Sequence, residues 1–104
     1  MSFFSSFFGA GGGAARCSGT EARTLVADGA QLIDVRTPAE FAAGHVDGAL
    51  NIPVSVLPVR LHELDRTRAV VVYCRSGGRS ASAGGILFKA GFEAVHDLGP
   101  MSAW

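Results

Sequence analysis

The hydrophobic residues of this chain form short apolar runs separated by segments of mixed polarity. Residues 69–73, Ala-Val-Val-Val-Tyr, are an unbroken apolar run of the kind that forms a central strand covered on both faces. Turn residues such as Asp28-Gly29 and Ile52-Pro53 bound other runs. This pattern predicts strands at residues 31–35, 49–51, 69–73 and 93–97.

The segments between the predicted strands carry helix signals. Two of them begin with a capping box, in which a hydroxyl residue precedes a glutamate by three positions: Ser18 with Glu21, and Thr37 with Glu40. Pro38 at the first helical position strengthens the second signal. Leucines recur at helical spacing later in the chain. The predicted helices cover about residues 18–27, 37–44, 56–64 and 80–90.

Strands that alternate with short helices predict an α/β fold of three layers, in which a mainly parallel sheet carries helices on both faces. In such sheets, ligands bind beyond the carboxyl ends of the strands, and Cys74 directly follows the strand 69–73. Gly84 and Gly85 lie inside the last predicted helix, where each costs up to ~1 kcal/mol relative to alanine. Close approach of this helix to the sheet would explain them, and so would simple tolerance.

The composition limits the classes of function. A chain of 104 residues is one domain, and 48% hydrophobic with 17% charged residues is ordinary for a globular protein. Nine basic and nine acidic side chains cancel, so no overall field favours nucleic acid or an anionic membrane. Any preference for anions is therefore expected to be local.

The first fifteen residues are rich in phenylalanine and glycine and carry no charged side chain. They lack the ~18–20 apolar residues that span a bilayer and the basic start of a signal peptide. We expect residues 1–16 to form a flexible tail and residues 17–104 to form the domain, in a cytoplasmic protein. Weak membrane association or export through the tail stays open as an alternative. Cys17 and Cys74 are predicted to be free thiols.

Cys74 is the candidate nucleophile. It lies between a strand end and a helix start, where unpaired N–H groups and the helix dipole stabilise a thiolate. An ordinary thiol with a pKa of ~8.5 is only about 3% ionised at pH 7, and a decrease of ~2 units ionises most of it. The alternative is a buried and inert core thiol.

The length of the loop after Cys74 indicates which anion it binds. Four residues separate Cys74 from Arg79, one fewer than in phosphatases with a cysteine nucleophile. A smaller ring of backbone amides suits one sulfur atom better than a tetrahedral phosphate.

The loop resembles the active-site loop of the rhodanese (sulfurtransferase) family. Further segments similar to that family are 32–36 (Leu-Ile-Asp-Val-Arg), 40–41, 44–53, 91–95 and 98–104. The resemblance covers roughly residues 18–104 and implies a five-stranded rhodanese-like sheet. It also implies a persulfide on the nucleophile and no cofactor. Gly99-Pro100 departs from the glycine pair that is usual in the family.

The remaining candidate residues divide into two sets. We expect Arg75 and Arg79 to attract a dianion such as thiosulfate and to stabilise the leaving group, with bracing of the loop as an alternative role for Arg79. Asp34, Arg36 and Glu40 are expected to give structural support, through ion pairs and hydrogen bonds that hold a strand-to-helix turn. The three histidines fit no metal motif, and His45 is expected to bond the backbone near its turn. The substrate-binding set consists of Arg75, Ser76, Gly77, Gly78, Arg79 and Ser80.

These features predict a sulfurtransferase that moves a sulfane sulfur from thiosulfate, through a Cys74 persulfide, to cyanide, a thiol or a protein cysteine. One alternative is a sulfur-carrier or partner-binding module that another protein loads. A phosphatase or arsenate reductase of related fold is the other alternative, and the short loop disfavours it.

Overall fold

The computed structural model describes residues 13–104. Its strands are β1 (Ala15–Arg16), β2 (Gln31–Asp34), β3 (Leu50–Asn51), β4 (Val70–Cys74) and β5 (Val95–Pro100). Its helices are α1 (Gly19–Ala27), α2 (Pro38–Ala43), α3 (Leu57–Arg60) and α4 (Gly78–Lys89), with 3₁₀ turns at Leu61–Glu63 and Met101–Ala103. Among these helices, none is both long and apolar enough to cross a membrane.

The five strands form one sheet in the order β1-β5-β4-β2-β3, and every neighbouring pair is parallel. The predicted parallel sheet is therefore confirmed. The carboxyl ends of β4 and β5 meet where Cys74 pairs with Pro100. The candidate nucleophile thus lies at the edge of the sheet where α/β proteins bind their ligands.

Helices cover both faces of the sheet, as the alternation along β4 requires. Val70, Val72 and Cys74 pack in one core cluster with Leu57 of α3 and Leu87 of α4. The intervening residues of β4 pack on the other face, in a second cluster that contains Ala22 of α1. The three-layer arrangement predicted from the sequence is confirmed.

Strand β1 lies inside the segment that the sequence assigned to a tail. Ala15 and Arg16 pair with His96 and Asp97 of β5, so the sheet begins before residue 17 and the predicted boundary is corrected. A two-residue strand carries no periodicity, and only its partner strand reveals it. The predicted tail at residues 1–12, and the membrane contact considered for it, lie outside the described residues.

Three other elements differ from the predicted ones by more than one residue at an end. Helix α4 begins at Gly78 instead of Ser80, because Gly77 supplies the turn that starts it. The helix predicted at 56–64 is α3 followed by a 3₁₀ turn. Strand β5 spans 95–100 instead of 93–97, since Gly99 and Pro100, residues disfavoured in strands, still pair with β4.

Candidate active site

Cys74 is the last residue of β4, and its side chain lies on the face of the sheet that α4 covers. The residue is only 1% exposed, whereas Arg75 and Ser76 after it are exposed. The candidate nucleophile therefore lies beneath the surface of its loop. Gly77, with φ of +111°, turns the chain into the first residue of α4.

Hydrogen-bond donors of the loop converge on the Cys74 sulfur. The Gly77 amide donates to Sγ over 3.0 Å, and the thiol in turn donates to the Ser80 hydroxyl oxygen over 3.5 Å. Burial raises the pKa of Cys74, but bonds from the Ser80 hydroxyl and from the amides of Ser80, Gly77 and Ser76 outweigh it and leave the pKa below its ordinary value. The loop thus stabilises a thiolate.

Ser80 is the buried end of this loop. Its hydroxyl donates to the Gly77 carbonyl over 3.1 Å, so the side chain that touches Sγ also closes the turn between β4 and α4. Gly78, between them, is exposed and has open space where a Cβ would be. The six predicted loop residues are therefore contiguous in space, with Gly77 and Ser80 facing the sulfur.

The two loop arginines differ in their contacts. Arg79 forms a two-pronged ion pair with Glu40, with distances of 2.7 Å and 3.0 Å between guanidinium nitrogens and carboxylate oxygens. Arg75 is exposed, and its guanidinium makes no hydrogen bond or ion pair with residues 13–104. The ion pair with Glu40 is therefore the bracing contact considered for Arg79. The Arg75 guanidinium has no ion-pair partner among residues 13–104.

The three residues expected to support the turn after β2 do not form one cluster. Asp34 and Arg36, both buried, are paired over 2.6 Å, and Arg36 also donates to the Gly44 carbonyl over 2.7 Å. Burial raises the pKa of Asp34, but the hydrogen bonds from Arg36 outweigh it and keep the carboxyl ionised. Glu40 instead pairs with Arg79. Glu40 supports the turn through its hydrogen bonds with Thr37, as expected, but its ion pair is corrected, because the carboxylate reaches across to Arg79 of the Cys74 loop.

Two residues around this turn carry contacts that the sequence analysis missed. The Tyr73 hydroxyl accepts a hydrogen bond from the Val46 amide over 3.1 Å, and its ring lies 5.6 Å from the Arg36 guanidinium carbon. Asn51 donates its side-chain amide to the carbonyls of Asp34 and Arg36. Asn51 lies in the family-like segment 44–53, which is the signal that could have revealed it.

The histidines and Cys17 were also considered as functional residues. His45 bonds the Phe41 carbonyl over 2.8 Å, which confirms its predicted backbone contact. Within residues 13–104, no group of His, Cys, Asp and Glu is placed to hold a metal ion. Cys17 and Cys74 are both free thiols, as predicted. Burial, followed by the charges of Glu21 and Asp97, raises the pKa of Cys17 to about 11.

An open cleft of about 470 Å³ lies between the segment after α2 and the end of the described chain. Met101 and Trp104 line it and also pack against the core cluster on the α1 side of the sheet. Cys74 belongs to the cluster on the opposite side.

Known proteins are similar to this chain in sequence and in fold. The sulfurtransferase of Allochromatium vinosum is 45% identical over 74 residues, covering 70% of this chain and 69% of that protein. The thiosulfate sulfurtransferase GlpE of Pseudomonas aeruginosa is 33% identical over 90 residues, covering 86% of this chain and 82% of its own. The solved structure of the human single-domain sulfurtransferase TSTD1 matches with a TM-score of 0.74 at 29% identity, over 88% of this chain and 90% of its own.

A family model described as the rhodanese-like domain matches residues 18–104, almost the whole of the described chain. The motifs quoted from the sequence, the parallel five-stranded sheet and these relatives agree. The chain belongs to the rhodanese-like family of sulfurtransferases.

Proposed function

We propose that this protein is a thiosulfate sulfurtransferase that carries the transferred sulfur as a persulfide on Cys74. The observation that carries the proposal is the convergence of loop donors on Sγ, with the Gly77 amide at 3.0 Å. These donors stabilise a thiolate, which is the nucleophilic form of cysteine. The same donors would favour a persulfide on Cys74, since a persulfide is itself an anion.

The first half-reaction forms the persulfide. The Cys74 thiolate attacks the outer sulfur of thiosulfate, the new S–S bond forms, and the old S–S bond breaks as its electron pair leaves with sulfite. The products are the persulfide anion and sulfite dianion, so the total charge is unchanged. Arg75 supports this step, because its free guanidinium can offset the negative charge of the donor and of departing sulfite.

The second half-reaction empties the site. Cyanide attacks the outer sulfur of the persulfide and leaves as thiocyanate, which restores the thiolate. A thiolate acceptor reacts in the same way and becomes a persulfide. The proposal needs no cofactor, because in each half-reaction the attacking nucleophile supplies the electron pair of the new bond and the leaving group, sulfite or the Cys74 thiolate, departs with the pair of the broken S–S bond.

Thiosulfate is favoured over 3-mercaptopyruvate as the donor. Thiosulfate is a compact dianion, and the exposed tip of the loop presents an unpaired guanidinium. The Pseudomonas aeruginosa relative, 33% identical, bears the name thiosulfate sulfurtransferase. A protein cysteine is also a plausible acceptor, since Arg75, Ser76 and Gly78 are exposed around the buried nucleophile.

Intact-protein mass spectrometry after treatment with thiosulfate tests the proposal. The wild type is expected to gain the mass of about one sulfur atom and to lose it on addition of cyanide. Cys74→Ser is expected to gain nothing, and Cys17→Ser, the matched control, is expected to behave as wild type. If only a partner's persulfide loads Cys74, while free thiosulfate does not, the sulfur-carrier alternative holds instead.

A further inference from the structure

Glu40 connects two parts of the fold that are far apart in sequence. It lies in the first turn of α2, and its carboxylate contacts Arg79, 39 residues later, in the first turn of α4. Both oxygens take part, at 2.7 Å and 3.0 Å from separate guanidinium nitrogens. Such a fork-to-fork geometry fixes direction as well as distance.

The Glu40 carboxylate is itself held in place. The Thr37 amide donates to Oε1 over 2.9 Å, and the Glu40 amide donates to the Thr37 hydroxyl over 3.2 Å. The hydrogen bonds from Arg79, and then from the Thr37 amide, lower the pKa of Glu40 to about 2. The carboxylate is therefore ionised throughout the pH range in which the thiol titrates.

Arg79 is next to the residue that contacts the nucleophile. Ser80 follows it directly and lies with its hydroxyl oxygen 3.5 Å from Cys74 Sγ. The hydrogen bond with Glu40 is the main cause that raises the pKa of Arg79, against burial, which lowers it. The charges of Glu40 and Cys74 raise this pKa further, whereas the charge of Arg36 lowers it. Glu40 thus offsets the repulsion between two cations and ties the first turn of α4 to α2.

We propose that Glu40 is a positioning residue for sulfur transfer: it holds Arg79, and through Arg79 it fixes the start of α4 so that the Gly77 amide points at the Cys74 sulfur and the Ser80 hydroxyl stays in contact with it. Glu40 itself touches neither the sulfur nor the donor in this role. The proposal rests on the proposed function for its effect on turnover, but its effect on the thiol is independent of any sulfur donor.

The pH dependence of Cys74 alkylation by iodoacetamide, measured in a Cys17→Ser background, separates positioning from simple charge. Removing a nearby carboxylate charge alone would favour the thiolate and move the midpoint of alkylation to lower pH. Releasing the loop donors would disfavour the thiolate and move the midpoint to higher pH. For Glu40→Ala we expect the higher midpoint, and thiosulfate:cyanide turnover reduced by up to ~100-fold, as for a misplaced catalytic group.

Glu63→Ala is the matched control, because Arg60 and Glu63 form a second two-pronged pair over 2.7 Å and 2.8 Å. The Arg60 and Glu63 side chains are 33% and 32% exposed, which is close to the 35% and 27% of Arg79 and Glu40. We expect Glu63→Ala to leave the alkylation midpoint unchanged. An equal shift in this control would mean that loss of any such pair suffices, and the proposal would be wrong.

A double-mutant comparison tests the route through Arg79. If Glu40 acts only by holding Arg79, Glu40→Ala combined with Arg79→Ala is expected to shift the midpoint no further than Arg79→Ala alone. Additive shifts would overturn this route, and so would an unchanged or lower midpoint in Glu40→Ala. If the wild type forms no persulfide, the proposed function fails, while the alkylation midpoints still decide the role of Glu40.

Discussion

The amide of Gly77 donates a hydrogen bond to the sulfur of Cys74 over 3.0 Å. Gly77 can do so because its φ is +111°, a conformation that side-chain-bearing residues rarely adopt. Within residues 13–104, only glycines have a positive φ. The positive φ of Gly77 therefore lets its amide stabilise a thiolate on Cys74.

Gly77→Ala is expected to impair sulfur transfer strongly. A Cβ strains this backbone, and relaxation of the strain turns the amide away from Sγ. Loss of a hydrogen bond to a charged group corresponds to about 1.5–3 kcal/mol, or more than about tenfold in rate. Gly78→Ala is the control, since its φ is not positive and a Cβ there meets nothing. Steady-state thiosulfate:cyanide kinetics on both variants check this, and equal activity would contradict it.

The parts of the fold that the sequence predicted well depend on local interactions. Both capping boxes form, with Glu21 and Glu40 amides donating to Ser18 and Thr37 hydroxyls, because each involves residues three apart. The apolar run 69–73 is the central strand, since it is covered on both faces. Such elements can be predicted from the sequence, because the interactions that form them lie within a few residues of one another.

The parts that the sequence missed depend on long-range contacts. Glu40 belongs to a capping box and to an ion pair with Arg79, and only the first has a sequence signal. Likewise, Gly84 leaves room for Ala14, which a pattern within α4 could not reveal. The candidate nucleophile and its short loop were predicted from one segment, but the different contacts of the two loop arginines became visible only in the fold.

The paired glycines of α4 are expected to respond in opposite ways to alanine. A Cβ on Gly84 would lie 2.6 Å from the Cβ of Ala14, whereas one on Gly85 meets nothing within 4 Å. Gly84→Ala should therefore destabilise the fold, and Gly85→Ala should stabilise it by up to ~1 kcal/mol through helix propensity. Urea unfolding measures both, and Ala14→Gly should restore stability to Gly84→Ala. The close approach of Ala14 thus explains Gly84, whereas Gly85 is explained by simple tolerance of glycine in the helix.

The two cysteines are expected to react with iodoacetamide at very different pH values. The pKa of Cys74 is lowered and that of Cys17 is raised to about 11, so raising the pH ionises Cys74 first. At pH 8, a thiol with a pKa of 11 is roughly 0.1% thiolate. Peptide mapping after brief alkylation at pH 8 should therefore find the label on Cys74. Preferential labelling of Cys17, the more exposed thiol, would show that access outweighs ionisation.

Arg75→Ala is expected to weaken the use of thiosulfate without unfolding the protein. Its side chain is exposed and makes no hydrogen bond or ion pair with residues 13–104, so the substitution should cost the fold little. Loss of a charge-assisted contact should cost about 1–3 kcal/mol in kcat/KM, and rising salt should weaken the wild type in the same direction. Arg75→Lys keeps the charge, so its kcat/KM for thiosulfate should lie between those of the wild type and of Arg75→Ala. Unchanged kinetics in Arg75→Ala would remove this residue from donor recognition.

The size of the amide ring is the remaining variable, and an insertion isolates it. One glycine inserted between Gly77 and Gly78 lengthens the loop to that of cysteine phosphatases. It should sharply reduce sulfur transfer, because the Gly77 amide and the Ser80 hydroxyl would no longer converge on Cys74 Sγ. Turnover with thiosulfate and with an aryl phosphate measures the effect, and the wild type should show no appreciable phosphatase activity.

A glycine inserted between Asp28 and Gly29 is the matched control, since this exposed turn follows α1. It adds the same chain flexibility without changing the ring, so sulfur transfer should be retained. If the loop insertion folds and keeps thiosulfate activity, then ring size does not select sulfur over phosphorus chemistry. The argument against a phosphatase would then depend on the family relationship alone, because the short loop was the structural reason for rejecting it.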